Sequence, residues 1–429
     1  MTDWPRNFVY VCSVGQGAVV NALPLVHAGL DRVAKVVVFC GASDPHTLDT
    51  TELNQAIKPM EQLTQIIHQW RPDLPVERRY GDPDSMADWH QRMEEFARQA
   101  TPDRPVVFNL TGGRKQMSLG AFAAMLGAPA NAGRLIFVSG RPLHVDFVDV
   151  ATLESSPAPA HEELTLPQYL SFYGIREIEP EAREWVVQSH RERAAVVGQF
   201  AKAIMPQAKV LQAIIDKAAK VRVPSGDNSF TPGLIDPWTT GRGKGGERAA
   251  AAAAMRLLAG HAGLTKAKND SGQPIVHAET IDGVKLLRGG WMETLLYNRL
   301  SRYFKGRNDV SLVPNVKVSL GEGADEIGEF DIAVMIRSQL HIVEAKVAHF
   351  AEQDRGGSAK ALAQIDKWKG MMLGQFGRVI VVQPRQTVEE LELARSSFLA
   401  RARKSGADLA LGPRAIETTI ELLDKLSRQ

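Results

Sequence analysis

Cysteine is scarce: two residues, Cys12 and Cys40, in a chain of 429. Both lie inside apolar runs that read as buried strands. So few thiols exclude a disulfide framework and a cysteine zinc site, and they fit a reducing cytosol. Long apolar runs are missing too. The nearest approach to one, residues 194–215, is cut by Lys202, Pro206 and Lys209, so no window spans a bilayer. The opening Met-Thr-Asp-Trp-Pro-Arg lacks the basic-then-apolar pattern of a secretory leader. These absences together set the expectation of a cytoplasmic protein without membrane contact. Charge of one sign is not in excess either. The formal net charge is +2, so any site for a polyanion must be a local patch. What remains is an ordinary globular composition, 44% apolar and 23% charged, long enough for two or three domains.

Residues 8–150 alternate strand and helix. Strands are expected at 8–13, 35–40, 76–79, 105–110, 134–138 and 143–150, and helices at 18–29, 51–70, 84–100 and 115–126. Such repeats predict a mainly parallel sheet with helices on both faces and an antiparallel final strand. Ligands bind such sheets beyond the carboxyl ends of the strands, where strand order reverses. Two loops at that edge have suitable chemistry. One is Ser13-Val14-Gly15-Gln16-Gly17; the other runs from Asn109 through Thr111-Gly112-Gly113-Arg114-Lys115 to Met117. Glycines admit backbone amides to a phosphate, a helix start adds its dipole, and Arg114 and Lys115 add charge. Neither loop is a P-loop or a Gly-x-Gly-x-x-Gly fingerprint. On the residues alone, an anion site and a plain strand-to-helix turn both remain open.

A strand ending in Ser-x-Gly, followed later by Asn-x-Thr-Gly-Gly-x-Lys-x-Met, resembles the CRISPR-associated Rossmann-fold (CARF) sensor domains. The resemblance implies a homodimer that binds a cyclic oligoadenylate through these two loops. Ser13, Val14, Gly15 and Gln16 would form one wall of the pocket. Thr111, Gly112, Gly113, Arg114, Lys115 and Met117 would form the other. Ser43 and Asp44 follow the second strand and would either reach the ligand or cap the next helix. This sensor domain is expected to cover residues 1–155.

Residues 156–275 say less. Residues 155–160, Ser-Ser-Pro-Ala-Pro-Ala, have the composition of a linker. Helices are expected near 181–199, 208–219 and 247–258. The run Gly241-Arg242-Gly243-Lys244-Gly245-Gly246 would touch a nucleic-acid backbone or form a surface loop. Without interleaved aromatics it offers no platform for bases.

The richest stretch lies in the last segment, 276–429. Residues 329–336 and 340–346 read as two strands joined by a turn at 337–339. Alternation puts Glu344 and Lys346 on one face, and Asp331 opposite the apolar face of Ile332, Val334 and Ile336. Two carboxylates with only one ammonium on an apolar hairpin leave a mutual repulsion and a desolvation cost unless a further positive charge sits there. A divalent ion held by oxygen is the natural occupant; a half-exposed surface ion pair is the plainer alternative. His341 and His349 fit no zinc pattern and read as structural or solvent-facing, and Tyr297, Trp291 and Trp368 read as core aromatics.

An acid on one strand and Glu-x-Lys on the next resemble the PD-(D/E)xK nucleases. That resemblance implies that Asp331 and Glu344 hold Mg²⁺ or Mn²⁺, with the carbonyl of Ala345 as a further ligand, and that Lys346 positions water. Trp291-Met292-Glu293 opens a helix over 292–304, and Glu293 matches an additional acid of CARF nucleases. Strands at 310–313, 316–320 and 378–383 and a helix at 359–372 complete the core order. Sensor then nuclease resembles the CARF–PD-(D/E)xK effectors of type III CRISPR defence, the Card/Can type. The expected protein is an α/β homodimeric endonuclease, activated by cyclic tetra-adenylate and cutting DNA or RNA. The alternative is a ligand-responsive regulator that binds nucleic acid without cutting it.

Overall fold

The structure is a computed structural model. It describes residues 3–15, 19–42, 57–129, 133–140, 143–204, 264–268, 274–278, 286–321, 326–347, 357–373, 377–384, 386–393 and 397–428. The calls on Gln16, Ser43, Asp44 and His349, on helices at 208–219 and 247–258, and on the glycine-basic run lie outside the described residues.

The first half is built on β1 (Phe8–Ser13), α1 (Val19–Ala28), β2 (Val33–Gly41), α2 (Lys58–Trp70), β3 (Val76–Gly81), α3 (Met86–Gln99), β4 (Val106–Asn109), α4 (Lys115–Leu126), β5 (Gly133–Gly140), β6 (Leu143–Val148) and β7 (Ser155–Pro157). They form a seven-stranded sheet in the order β3-β2-β1-β4-β5-β6-β7. Strands β3 to β5 are parallel, and β6 and β7 turn antiparallel. Alternation explains why β1 is apolar throughout. Phe8, Tyr10 and Cys12 enter one core, while Val9 and Val11 enter a second on the opposite face. Residues 155–157, expected as linker, add the last strand to this sheet. Their Pro-Ser composition suits an edge, where no second ladder is needed.

The second half contains α5 (Leu166–Ser171), β8 (Ile175–Glu177), α6 (Arg183–Ile204), β9 (Leu264–Lys268), β10 (Pro274–Ala278), α7 (Trp291–Tyr303), β11 (Val310–Leu320), β12 (Glu326–Ile336), β13 (Gln339–Ala345), α8 (Gly357–Trp368), β14 (Arg378–Gln383), α9 (Val388–Leu393), α10 (Ser397–Lys404), β15 (Asp408–Leu411) and α11 (Ala415–Arg428). Apart from the β9–β10 hairpin, its strands make a six-stranded sheet ordered β15-β14-β13-β12-β11-β8. Strand β8 pairs antiparallel with β11, so the middle segment supplies an edge to this sheet. Leu340, Ile342, Val379 and Val381 face one core, and Val343, Ile380 and Val382 face another. Phe330 meets Trp368 edge to face at 4.7 Å, a contact worth about 0.5–1.5 kcal/mol beyond the area it buries.

Two sequence expectations are corrected here. Residues 310–320 form one strand instead of two. Pro314-Asn315 looks like a break, yet the ladder to β12 continues on both sides, with Asn315 at φ 48°. The hairpin turn is also tighter than 337–339. Gln339 pairs with Ile336, leaving Arg337 and Ser338, at φ 46° and 64°, as a two-residue turn.

Candidate active site and sensor crevice

The catalytic candidates gather at one end of the second sheet. Lys346 Nζ donates to Glu344 Oε2 at 2.8 Å and lies 3.5 Å from Asp331 Oδ2. The same Asp331 oxygen accepts the Ala345 backbone N–H at 2.7 Å, which ties the two strands together beyond their last ladder pair. Glu293 comes from the first turn of α7, where the helix dipole favours an acid. All four expected catalytic residues, Glu293, Asp331, Glu344 and Lys346, thus share one cluster. Gln364 from α8 donates to the Glu329 carbonyl at 3.0 Å and approaches Glu344 Oε1 at 3.4 Å.

Burial makes this cluster tense. Glu344 is 1% exposed. Desolvation, then the charge of Asp331, pushes both Glu293 and Glu344 up to about 8. Burial opposes the charge on Lys346, but Asp331 and Glu344 outweigh it and hold its pKa above the ordinary lysine value. Acids held reluctant to ionise by burial and by each other would ionise more readily beside a divalent cation. The donor set is oxygen only, the chemistry of Mg²⁺ or Mn²⁺ and not of zinc. Among the described residues no three acidic, histidine or cysteine side chains already stand in a cation cage. The Lys346 ammonium bridges two of the carboxylates. The residues fit a divalent ion by donor type.

Several polar partners escaped sequence reasoning. Asn315 Nδ2 donates to Glu293 Oε2 at 2.9 Å and to Glu329 Oε1 at 3.2 Å. Its Oδ1 stands 2.5 Å from His190 Nε2, and His190 Nδ1 stands 2.8 Å from Thr294 Oγ1. Desolvation lowers the pKa of His190, partly offset by Asn315. The one signal for Asn315 was an asparagine interrupting a strand pattern; His190, on α6, gave none. His341 is a core residue, as expected, with burial pushing its pKa down to about 3. Trp291, Tyr297 and Trp368 are core aromatics as well. The cluster opens into a cleft of about 570 Å³, with α6 as one wall and β11 as part of the floor.

The sensor candidates meet at the other sheet. Strand order reverses at β1, which pairs with β2 on one side and β4 on the other. The loops after β1 and β4 therefore flank the crevice that a parallel sheet offers a ligand. Ser13 Oγ donates to the Gly112 carbonyl at 2.7 Å, and Asn21 Nδ2 donates to the Ser13 carbonyl at 3.0 Å. A Cβ on Gly112 would lie 2.0 Å from the Ser13 carbonyl, so only glycine fits. Thr111 Oγ1 accepts the Val138 N–H at 2.6 Å. Ser13, Val14, Gly112 and Met117 are buried and shape the loops from beneath. Gly15, Gly113, Arg114 and Lys115 reach the surface, Arg114 against Asp84 at 2.9 Å. Sequence reading overlooked the girder below: Asn109 Nδ2 donates to the Val20 carbonyl at 2.8 Å and to Tyr10 Oη at 2.9 Å.

With this geometry in hand, similarity to known proteins is informative. Residues 281–408 match a family model described as Card1-like, endonuclease domain. The chain is similar in fold to protein VC1899 from Vibrio cholerae, at a TM-score of 0.64 and 15% identity over 98% of both chains. It is also similar to Can2 from Sulfobacillus thermosulfidooxidans, solved in complex with cyclic tetra-adenylate. There the TM-score is 0.60 and the identity 16%, over 98% of this chain and 99% of that one. A comparison with curated proteins finds no sequence match. The layout is therefore a Rossmann-like CARF fold followed by an endonuclease fold of the PD-(D/E)xK kind. Among the described residues no helix is long and apolar enough to cross a membrane.

Proposed function

We propose that this chain, a Card1-like endonuclease domain behind a CARF-type fold, is a metal-dependent endonuclease switched on by a cyclic oligoadenylate in type III CRISPR antiviral defence. Cyclic tetra-adenylate, the ligand of the Can2 structure, is the expected activator. The substrate is DNA, RNA or both, and the working unit is a cytoplasmic homodimer. The observation that carries the reading is the contact of the half-buried Lys346 with Asp331 and with the buried Glu344, beside Glu293, where the cluster meets a cleft. A module that only binds nucleic acid gains nothing from burying acids that repel each other.

Asp331, Glu344 and the Ala345 carbonyl would hold Mg²⁺ or Mn²⁺, with Glu293 nearby. The ion would polarise a phosphoryl oxygen and lower the pKa of a water. The chain's own residues do the rest. Lys346 keeps its proton and supplies positive charge where the pentavalent phosphate builds up negative charge. Asn315 holds the Glu293 and Glu329 carboxylates in place, and His190 of α6 links Asn315 on β11 to Thr294 on α7.

At the sensor end, Lys115, Arg114 and the backbone of Gly15 and Gly113 offer positive charge and amides to the activator's phosphates. Leu119 and Leu126 lie on one face of α4 and stand 54% and 63% exposed, which suits a second copy covering them.

The test is direct. The protein is incubated with supercoiled plasmid, single-stranded RNA and single-stranded DNA, with and without Mn²⁺ or Mg²⁺, and with and without cyclic tetra-adenylate. Cutting that needs both metal and activator supports the reading. Metal-dependent cutting indifferent to activator removes the switch. Nucleic-acid binding without cutting under any metal returns the protein to the class of ligand-responsive regulators.

A further inference from the structure

We propose that Trp185, with Arg193 and Lys317, forms a base-stacking subsite at the rim of the catalytic cleft, selecting polynucleotide strands that carry an unpaired base beside the cut. The inference rests on the nuclease reading and names the substrate feature which that site takes.

Trp185 is 62% exposed, whereas Trp89, Trp291 and Trp368 are fully buried. It stands near the start of α6 and lines the cleft together with Ser189 and Arg193. Residues four and eight apart fall on one helical face, so these three side chains form a row about 12 Å long. Lys317, on β11, lines the cleft as well. Other charged groups at the rim are accounted for. Arg183 is committed to Glu177, and Glu179 adds an exposed acid. The cleft is lined by the acids Glu293, Glu329 and Asp331 and by the cations Arg193, Lys317 and Lys346. A phosphodiester backbone is therefore attracted by the cations and repelled by the acids unless a further cation joins them. An indole left in water adds nothing to folding, but its face matches the π-face of any base. In a duplex those faces are already stacked, so Trp185 distinguishes unpaired from paired substrate.

The experiment is fluorescence anisotropy on the intact protein in EDTA, where cutting is blocked, with a short labelled single strand and its duplex. Trp185→Ala is expected to weaken single-strand binding about tenfold, and Trp185→Phe by much less. Duplex binding should stay within roughly twofold, since a stacked base offers no free face. Replacing bases one at a time by abasic sites should reveal one position at which Trp185→Ala has no further effect. Arg193→Ala should reduce the slope of log K against log salt by about 0.7–0.9. Equal single-strand affinity in Trp185→Ala and the parent overturns the subsite, as does equal loss on single strand and duplex. The nuclease reading fails by a different route, if Glu344→Gln cuts as well as the parent.

Discussion

His27 Nε2, at the end of α1 beyond the loop that follows β1, lies 3.3 Å from Ser338 Oγ in the turn of the β12–β13 hairpin. Both residues are buried. Ser338 Oγ also accepts the Leu164 N–H at 2.8 Å and donates to Glu163, which in turn sits 3.5 Å from His27. Two consecutive non-glycine residues at positive φ are costly, so these contacts are what hold the turn in shape. Helix α1 starts beyond the Ser13 loop and β12 runs from this turn to Asp331. A shift of that loop on binding the proposed activator would thus have a packed route to the hairpin proposed to hold the metal. Ser338→Ala is expected to cost about 1–3 kcal/mol of stability by orphaning buried partners. It should also cut the activator's stimulation severalfold while basal cutting persists. Plasmid nicking with and without cyclic tetra-adenylate measures this, and unchanged stimulation would remove the seam from the switch.

At the hairpin itself, Asp331→Asn and Glu344→Gln are each expected to lower cutting by at least about a hundredfold. Lys346→Ala should do the same, and it also leaves two buried acids without their ammonium. Its loss should be partly recovered at raised Mn²⁺, because a cation can replace charge. Glutamine at 344 should not be recovered, having lost a ligand. Single-turnover rates across a Mn²⁺ titration separate the two patterns; identical responses would contradict the assigned roles.

The residues proposed to form the sensor divide into those that shape the loop and those exposed where the activator would bind. Gly112→Ala forces a Cβ to within 2.0 Å of the Ser13 carbonyl, so it should lower the melting temperature and abolish activator binding together. Lys115 is exposed at the start of α4. Lys115→Ala should leave the melting temperature within about 0.5 kcal/mol equivalent and weaken cyclic tetra-adenylate binding about tenfold. Calorimetric titration decides; tight binding by Lys115→Ala would move the activator elsewhere.

How far the sequence reached is visible in individual residues. The β1 and β14 boundaries came out correctly because continuous apolar runs bounded by turn residues leave little choice. Asp331, Glu344 and Lys346 were legible because alternation puts Glu344 and Lys346 on one face and because their spacing resembles that of the PD-(D/E)xK nucleases, although β13 ends one residue before Lys346. Asn315 and His190 were not. Their roles depend on a positive φ within a strand and on a helix from a distant segment crossing the cleft, and neither has a local pattern. Strand β7 was hidden for the same reason: Ser-Ser-Pro has linker chemistry, and only its neighbour β6 makes it a strand.

The raised acids give a pH dependence of defined sign. Glu293 and Glu344 titrate near 8 in the folded protein, burial being the larger cause and Asp331 the next, against 4.5 for an ordinary glutamate. Between those values the folded chain keeps protons that the unfolded chain has released, so stability falls as pH rises. The contribution is complete below 4.5 and gone above about 8. Lys346 keeps its proton across that window and does not alter the slope. The melting temperature should therefore drop between pH ~5 and ~8.5, and the slope should flatten in the Glu293→Gln/Glu344→Gln double variant. A divalent ion bound by these acids must reverse the trend. Mn²⁺ should stabilise the parent more at the higher pH, where its ligands ionise readily, and should leave the double variant nearly unmoved. Scanning calorimetry at both pH values with and without Mn²⁺ measures all four terms. A Mn²⁺ effect of the same size at either pH would mean that the ion binds somewhere other than this pair of acids.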